Sequence, residues 1–165
     1  MQAVRLAAMI LAMSLPAAAQ QVPFGDSHDS GQPVEITSDR LDLDQAAGTA
    51  VFTGGVKVGQ GALRLAADRV EVFYDEGGSA SGTVRRMEAT GNVTLANGTE
   101  AAESERASYE VTIGIVEMEG DVLLTQGGNA LSSERLRIDL NAGTGQLDGR
   151  VRTIFVPGSA PGTSP

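Results

Sequence analysis

The chain has 165 residues, with 21 acidic side chains against 12 basic ones and a formal charge of −9. That length fits one domain with a single modest core, and a charge of this sign excludes neutralising the backbone of DNA or RNA or an anionic lipid surface. The absence of cysteine removes disulfides, thiolate metal sites and thiol nucleophiles, while 21 glycines and no tryptophan suit a turn-rich β protein.

Residues 1–19, "MQAVRLAAMILAMSLPAAA", combine Arg5, an apolar run from Leu6 to Leu15, a break at Pro16 and the small residues Ala17, Ala18 and Ala19. This is the three-part pattern of a secretory signal peptide, with cleavage expected after Ala19. A membrane anchor needs about 20 apolar residues, and this run ends well short of that. The expectation is an exported chain, located in the periplasm of a Gram-negative cell. Residues 20–32 and 157–165 are polar and rich in turn formers, and are expected to stay disordered and outside the core.

Between them, residues 33–156 repeat two phrases. "FTGGVKV" at 52–58 returns as "ATGNVTL" at 89–95, "MEGDVLL" at 118–124 and "LDGRVRT" at 147–153. Arg40, Arg69, Arg106 and Arg135 each follow an acid and precede alternating apolar residues. From Arg to Gly the count is 14 (40 to 54, 106 to 120, 135 to 149), and from Gly to the next Arg it is 15 (54 to 69, 91 to 106, 120 to 135), giving a 29-residue unit. One interval, 69 to 91, is 8 residues longer, and the surplus falls in the Gly/Ser-rich "DEGGSASGTVRR". A period held in phase by two motifs signals stacked structural repeats.

Within each unit apolar residues alternate with polar ones, as in Phe52, Val56, Val58 or Leu136, Ile138, Leu140, and the connections "GQG", "ANG", "QGG" and "NAGTG" are turn sequences. Period two means strands with one apolar face each, so the domain is expected to be all-β. Gly54, Gly91, Gly120 and Gly149 interrupt strands at equivalent places, where a missing side chain permits a sharp bend; stacked, they form a row of corners. The arginines, each beside Asp or Glu, form a matching outward or rim ladder of charge pairs, read as a solvated edge.

Two layers joined at a glycine corner either meet everywhere, giving a filled core, or splay into an apolar trough. Periodicity is compatible with both, and the small volume of the inner Val, Leu, Ala and Ile side chains favours the trough. By parity the lining comprises Val34, Ile36, Phe52, Val56, Val58, Leu65, Val72, Val93, Tyr109, Val111, Met118, Val122, Leu124 and Ile138.

The stretch from Pro33 to Asp75, with "I-x-S-D", "F-T-G-x-V" and "L-x-A-D-R-V", followed by "ATGNVTLANG" and a terminal "V-P", resembles the OstA-like (LptA) family of periplasmic lipopolysaccharide transport proteins. The resemblance runs from about Pro33 to Gly158. It implies a twisted, V-shaped β-jellyroll of two antiparallel sheets, a β-taco with an open apolar trough. It implies a carrier or bridge that shields lipopolysaccharide acyl chains between the inner and outer membranes. It also implies head-to-tail self-association through edge strands near 34–36 and 151–155, and like-folded partners in an inner-membrane anchor and an outer-membrane barrel.

Two other classes compete. A purely structural or adhesive exported β-repeat protein would need no lipid cargo. A groove enzyme would need convergent acid and base groups, yet the only histidine, His28, lies in the leader, and Asp42, Asp44, Glu71, Glu105, Glu134 and Asp139 fall on the outward parity. No catalytic residue, cofactor or metal site is assigned, because "DSHD" and "DEGG" lack a full ligand count.

Overall fold

The structure, a computed structural model, describes residues 21–24, 28–75 and 82–157. The expected signal peptide lies outside the described residues, as does most of the expected tail. Among these residues eleven strands form one antiparallel sheet: β1 (Gln21–Pro23), β2 (Glu35–Thr37), β3 (Arg40–Asp44), β4 (Thr49–Gln60), β5 (Leu63–Tyr74), β6 (Val84–Asn97), β7 (Glu100–Glu110), β8 (Ile115–Gln126), β9 (Asn129–Asp139), β10 (Thr144–Asp148) and β11 (Arg152–Ile154). The spatial order is β1-β10-β9-β8-β7-β6-β5-β4-β2, with β3 also on β4 and β11 also on β9. The sheet is not closed into a barrel, and no helix occurs among the described residues.

Each long strand from β4 to β9 crosses a corner and contributes to two layers. Pairing skips at Thr53/Val56 in β4, Thr90/Val93 in β6 and Glu119/Val122 in β8, which marks the fold line. At the two ends the outermost strand is broken there: β3 and β2 pair with the two halves of β4, and β10 and β11 with the two halves of β9. Layer A thus runs from β3 to β10, and layer B from β2 to β11.

The corner explains the repeated phrase residue by residue. Gly54, Gly91, Gly120 and Gly149 have φ of 83°, 80°, 85° and 79°, and the residue after each is also left-handed: Gly55 at 52°, Asn92 at 47°, Asp121 at 44° and Arg150 at 44°. Two consecutive left-handed residues turn the strand, and the second slot is filled mostly by Gly, Asn or Asp, the residue types that tolerate it. A side chain at the first slot is excluded by contact as well. A Cβ on Gly54 would lie 2.5 Å from Asp39 Oδ2, and one on Gly149 would lie 2.5 Å from Glu134 Oε2.

The acid before each arginine therefore packs on a corner glycine, and the arginine pairs elsewhere. Asp39, Asp68, Glu105 and Glu134 face Gly54, Gly91, Gly120 and Gly149. Asp68 accepts a hydrogen bond from Asn92 Nδ2 (2.8 Å), and Glu134 accepts one from Arg150 Nε (2.7 Å), which holds the second left-handed residue in place. The arginine ladder forms as expected on the outside of layer A, with Arg40–Asp42 at 2.7 Å, Arg69–Glu71 at 2.8 Å, Arg106–Glu119 at 3.5 Å and Arg135–Asp148 at 2.9 Å. Exposed pairs of this kind contribute little to stability, because solvent screens them.

One expectation needs correction. Residues 20–32, read as a disordered leader outside the core, supply β1, which pairs with β10 at Gln21↔Gln146, Val22↔Gly145 and Pro23↔Thr144. Phe24, just beyond, is fully buried. Polar composition made the segment look unable to fold alone; the energy that orders it comes from an apolar surface built by residues more than a hundred positions away.

Candidate functional site

The inner faces of the two layers form one continuous apolar cluster from end to end of the stack. Of the residues expected to line a trough, Val56, Val58, Leu65, Val93, Val122 and Leu124 face inward from layer B, and Val72, Tyr109, Met118 and Ile138 from layer A; all are buried. Val111 is buried in the turn after β7. Val34, Ile36 and Phe52 are only partly buried, because they lie at the β2/β3 end, beyond which no further strand pairs among the described residues. The expected lining omitted equivalent buried neighbours such as Leu63, Met87, Leu95, Val116 and Leu136.

The two faces meet closely. The cavity between Val58, Leu63 and Leu65 of one layer and Met87, Tyr109 and Val116 of the other measures about 10 Å³, room for no more than about one water molecule. Anything larger fits here only if the layers part along the side opposite the corners. That side is the mouth, and its lip is polar. Gln60, Asn97 and Gln126 end β4, β6 and β8 on the inward row, each immediately before a turn glycine. Gln60 and Asn97 are buried despite their amides.

The leader lies along this mouth and bonds to both lips. From layer A, Gly143 O accepts from Phe24 N at 2.9 Å, and Leu140 O accepts from His28 N at 3.4 Å. From layer B, Gln126 Nε2 donates to Pro23 O, and Gln60 Nε2 donates to Ser30 O at 2.9 Å and Gln32 O at 3.0 Å. The lips also touch directly, since Tyr109 Oη donates to Gln60 Oε1 at 2.7 Å. With its proton so committed, Tyr109 Oη accepts from His28 Nε2 at 2.9 Å, which places the imidazole proton on Nε2. Burial pushes the Tyr109 hydroxyl up to about 12 and holds His28 below its ordinary value. Sequence patterning could have found the lip, because Gln60-Gly61, Asn97-Gly98 and Gln126-Gly127 recur in phase with the corners.

The chemistry of the site is that of a closable apolar groove. His28 serves the mouth as a hydrogen-bond donor, and Asp42, Glu71, Glu105 and Glu134 lie outside the groove on the ladder or the corners. Among the described residues, no three His, Asp or Glu side chains come together to hold a metal ion.

Three comparisons bear on this geometry. Residues 35–144 match the family model described as LptA/(LptD N-terminal domain) LPS transport protein. An uncharacterized protein of Rhizobium meliloti (strain 1021) is 34% identical over 103 residues, covering 60% of this chain and 55% of that protein. The lipopolysaccharide export system protein LptA of Escherichia coli (strain K12) is 40% identical over 67 residues, 41% of this chain and 33% of that protein. The matches thus span about half and one third of these relatives' lengths. The crystal structure of LptH, the LptA-homologous periplasmic component of the lipopolysaccharide transport device of Pseudomonas aeruginosa, superposes with a TM-score of 0.69 at 21% identity, covering 79% of this chain and 99% of that one. The fold is therefore that of the LptA-like β-jellyroll.

Proposed function

This chain belongs to the LptA/(LptD N-terminal domain) LPS transport protein family, and from that premise we propose that it is a periplasmic carrier that takes lipopolysaccharide acyl chains between its two layers. The carrying observation is an apolar inner face that is continuous along the stack and still exposed at the β2/β3 end, at Leu41 and Leu43. Shielding matters because each methylene in water costs about 0.8 kcal/mol, so a chain of about a dozen costs on the order of 10 kcal/mol. The lining residues named above are the contacts: Phe52 and Ile36 at the open end, then Val58, Leu65, Val72 and Tyr109 deeper in. A signal peptide cleaved after Ala19 delivers the chain to the periplasm.

Copies join end to end, or to like-folded membrane partners, through the edge strands. Unpaired edges invite strand addition, and among the described residues β2/β3 at one end and β11 at the other offer them. A photo-crosslinking residue at Phe52 should capture lipopolysaccharide, while one at the outward Glu71 should not. Equal capture at both positions would sink the groove reading. Deleting 151–155 should leave a folded protein that associates less.

A further inference from the structure

We propose that β1 is a removable cap on the β10 edge, and that the strip it covers is the docking site for β3 of a second copy; this rests on the end-to-end assembly above. The edges are built to match. β3 and β10 have five residues each, and β2 and β11 have three each. Every step from β3 through β4 to β10 is antiparallel. Stacked as the next strand, β3 of a following copy would therefore run antiparallel to β10, as β1 does.

A single register satisfies both layers. Pairing Leu43 with Gly145 puts Leu41 opposite Leu147 on the inner face and Arg40 opposite Asp148 on the outer one. Across the corner the chain's own pairings advance four residues on one strand and three on the other. On β4, Thr53 to Lys57 faces Arg40 to Thr37; on β9, Arg135 to Ser132 faces Asp148 to Arg152. Applied to the joint, the same step carries Arg40↔Asp148 to Thr37↔Arg152, which puts inward Ile36 opposite inward Thr153. The Arg40–Asp148 pairing would also extend the charge ladder, in which Asp148 already meets Arg135.

β1 occupies this place as an imitation of β3. It sets Val22 opposite Gly145 and follows with Phe24, an apolar pair two residues apart on the inner side, as Leu41 and Leu43 are in β3. The imitation is incomplete and so displaceable. It covers three of the five β10 positions, leaving Leu147 and Asp148 unpaired by it, and Pro23 has no N–H to give the ladder. A five-residue strand with a charge pair outcompetes it once its free end lifts.

The chain lacks cysteine, which permits a clean lock. A Cβ on Gly145 would lie 3.3 Å from Val22 Cγ2, within bridging reach. In sedimentation equilibrium, Val22→Cys/Gly145→Cys should self-associate when reduced and stay monomeric when oxidised. Val22→Ser/Phe24→Ser, with the cap loosened, should associate about tenfold more tightly than the unaltered chain. Association that is equally strong in the oxidised and reduced lock overturns the cap while leaving end-to-end assembly standing. No association even with the loosened cap overturns both.

Discussion

The two ends of the stack are made of the same repeat and expose very different amounts of it. Leu43 in β3 and Leu147 in β10 both sit on terminal half-strands of layer A and both point inward, yet Leu43 is 52% exposed and Leu147 only 4%. The two ends also differ in what is docked outside them, although β1 itself stops one residue short of Leu147. Beyond β3 lies no further strand among the described residues, whereas β1 covers residues 144–146 of β10 and Phe24 is buried next to it. A stacked repeat buries each unit against its neighbours, so its terminal units need caps. Here one end carries a cap and the other keeps its apolar row accessible.

The largest test of this contrast is truncation of the paired leucines. Leu147→Ala should cost about 2–4 kcal/mol in denaturant unfolding, and Leu43→Ala less than about 1 kcal/mol, because only the first leaves a cavity. Equal costs would mean that the two ends are packed alike. Next in size, Gly54→Ala and Gly149→Ala should each cost at least about 1–2 kcal/mol from left-handed backbone, with the contact against Asp39 or Glu134 adding to it. That pair should show no end-to-end difference, since the corner is internal to each unit.

Smaller and local is the effect of Phe24→Ala. Amide exchange across 144–146 should rise to the level seen across 40–44, making the ends alike, with little change in the midpoint of global unfolding. Protection that stays unequal would show that β1 holds without its anchor. Smallest is a pH effect at the mouth. Burial lowers the His28 pKa from 6.5, outweighing the Gln60 hydrogen bond and the Asp29 charge that raise it. The docked ring therefore resists a proton that the free leader accepts. Docking should be strongest above about pH 6.5 and weaken as pH falls below it. Of the facing groups, Tyr109 stays protonated and Asp29 stays ionised throughout this window. Exchange at residues 28–32 that is independent of pH between 5 and 8, after correction for intrinsic rates, would remove His28 from the mouth's control.

The strand stack and its corners were legible because their causes are local. Alternation fixes which side of a strand is greasy, and "G-G", "G-N" and "G-D" announce a left-handed turn that such residues favour, with "G-R" recognisable by its spacing alone. The partners of the charged residues were less legible. An Asp or Glu next to an Arg looks like its counterion, but neighbours in a strand point to opposite faces, so Glu134 turns to Gly149 and Arg135 to Asp148. The leader was illegible for a stronger reason. Phe24 bonds Gly143, and His28 bonds Tyr109 and Leu140; nothing within 20–32 signals that a surface exists to receive them.

By itself the sequence determined a ladder of bent strands, its period, its corners and its apolar interior, since each follows from steric and solvation preferences acting over a few residues. Only the tertiary structure decided which ends of the ladder are covered and how the mouth is held. Those outcomes depend on distant segments competing for the same apolar edge, and the outcome of that competition is a property of the assembled surface.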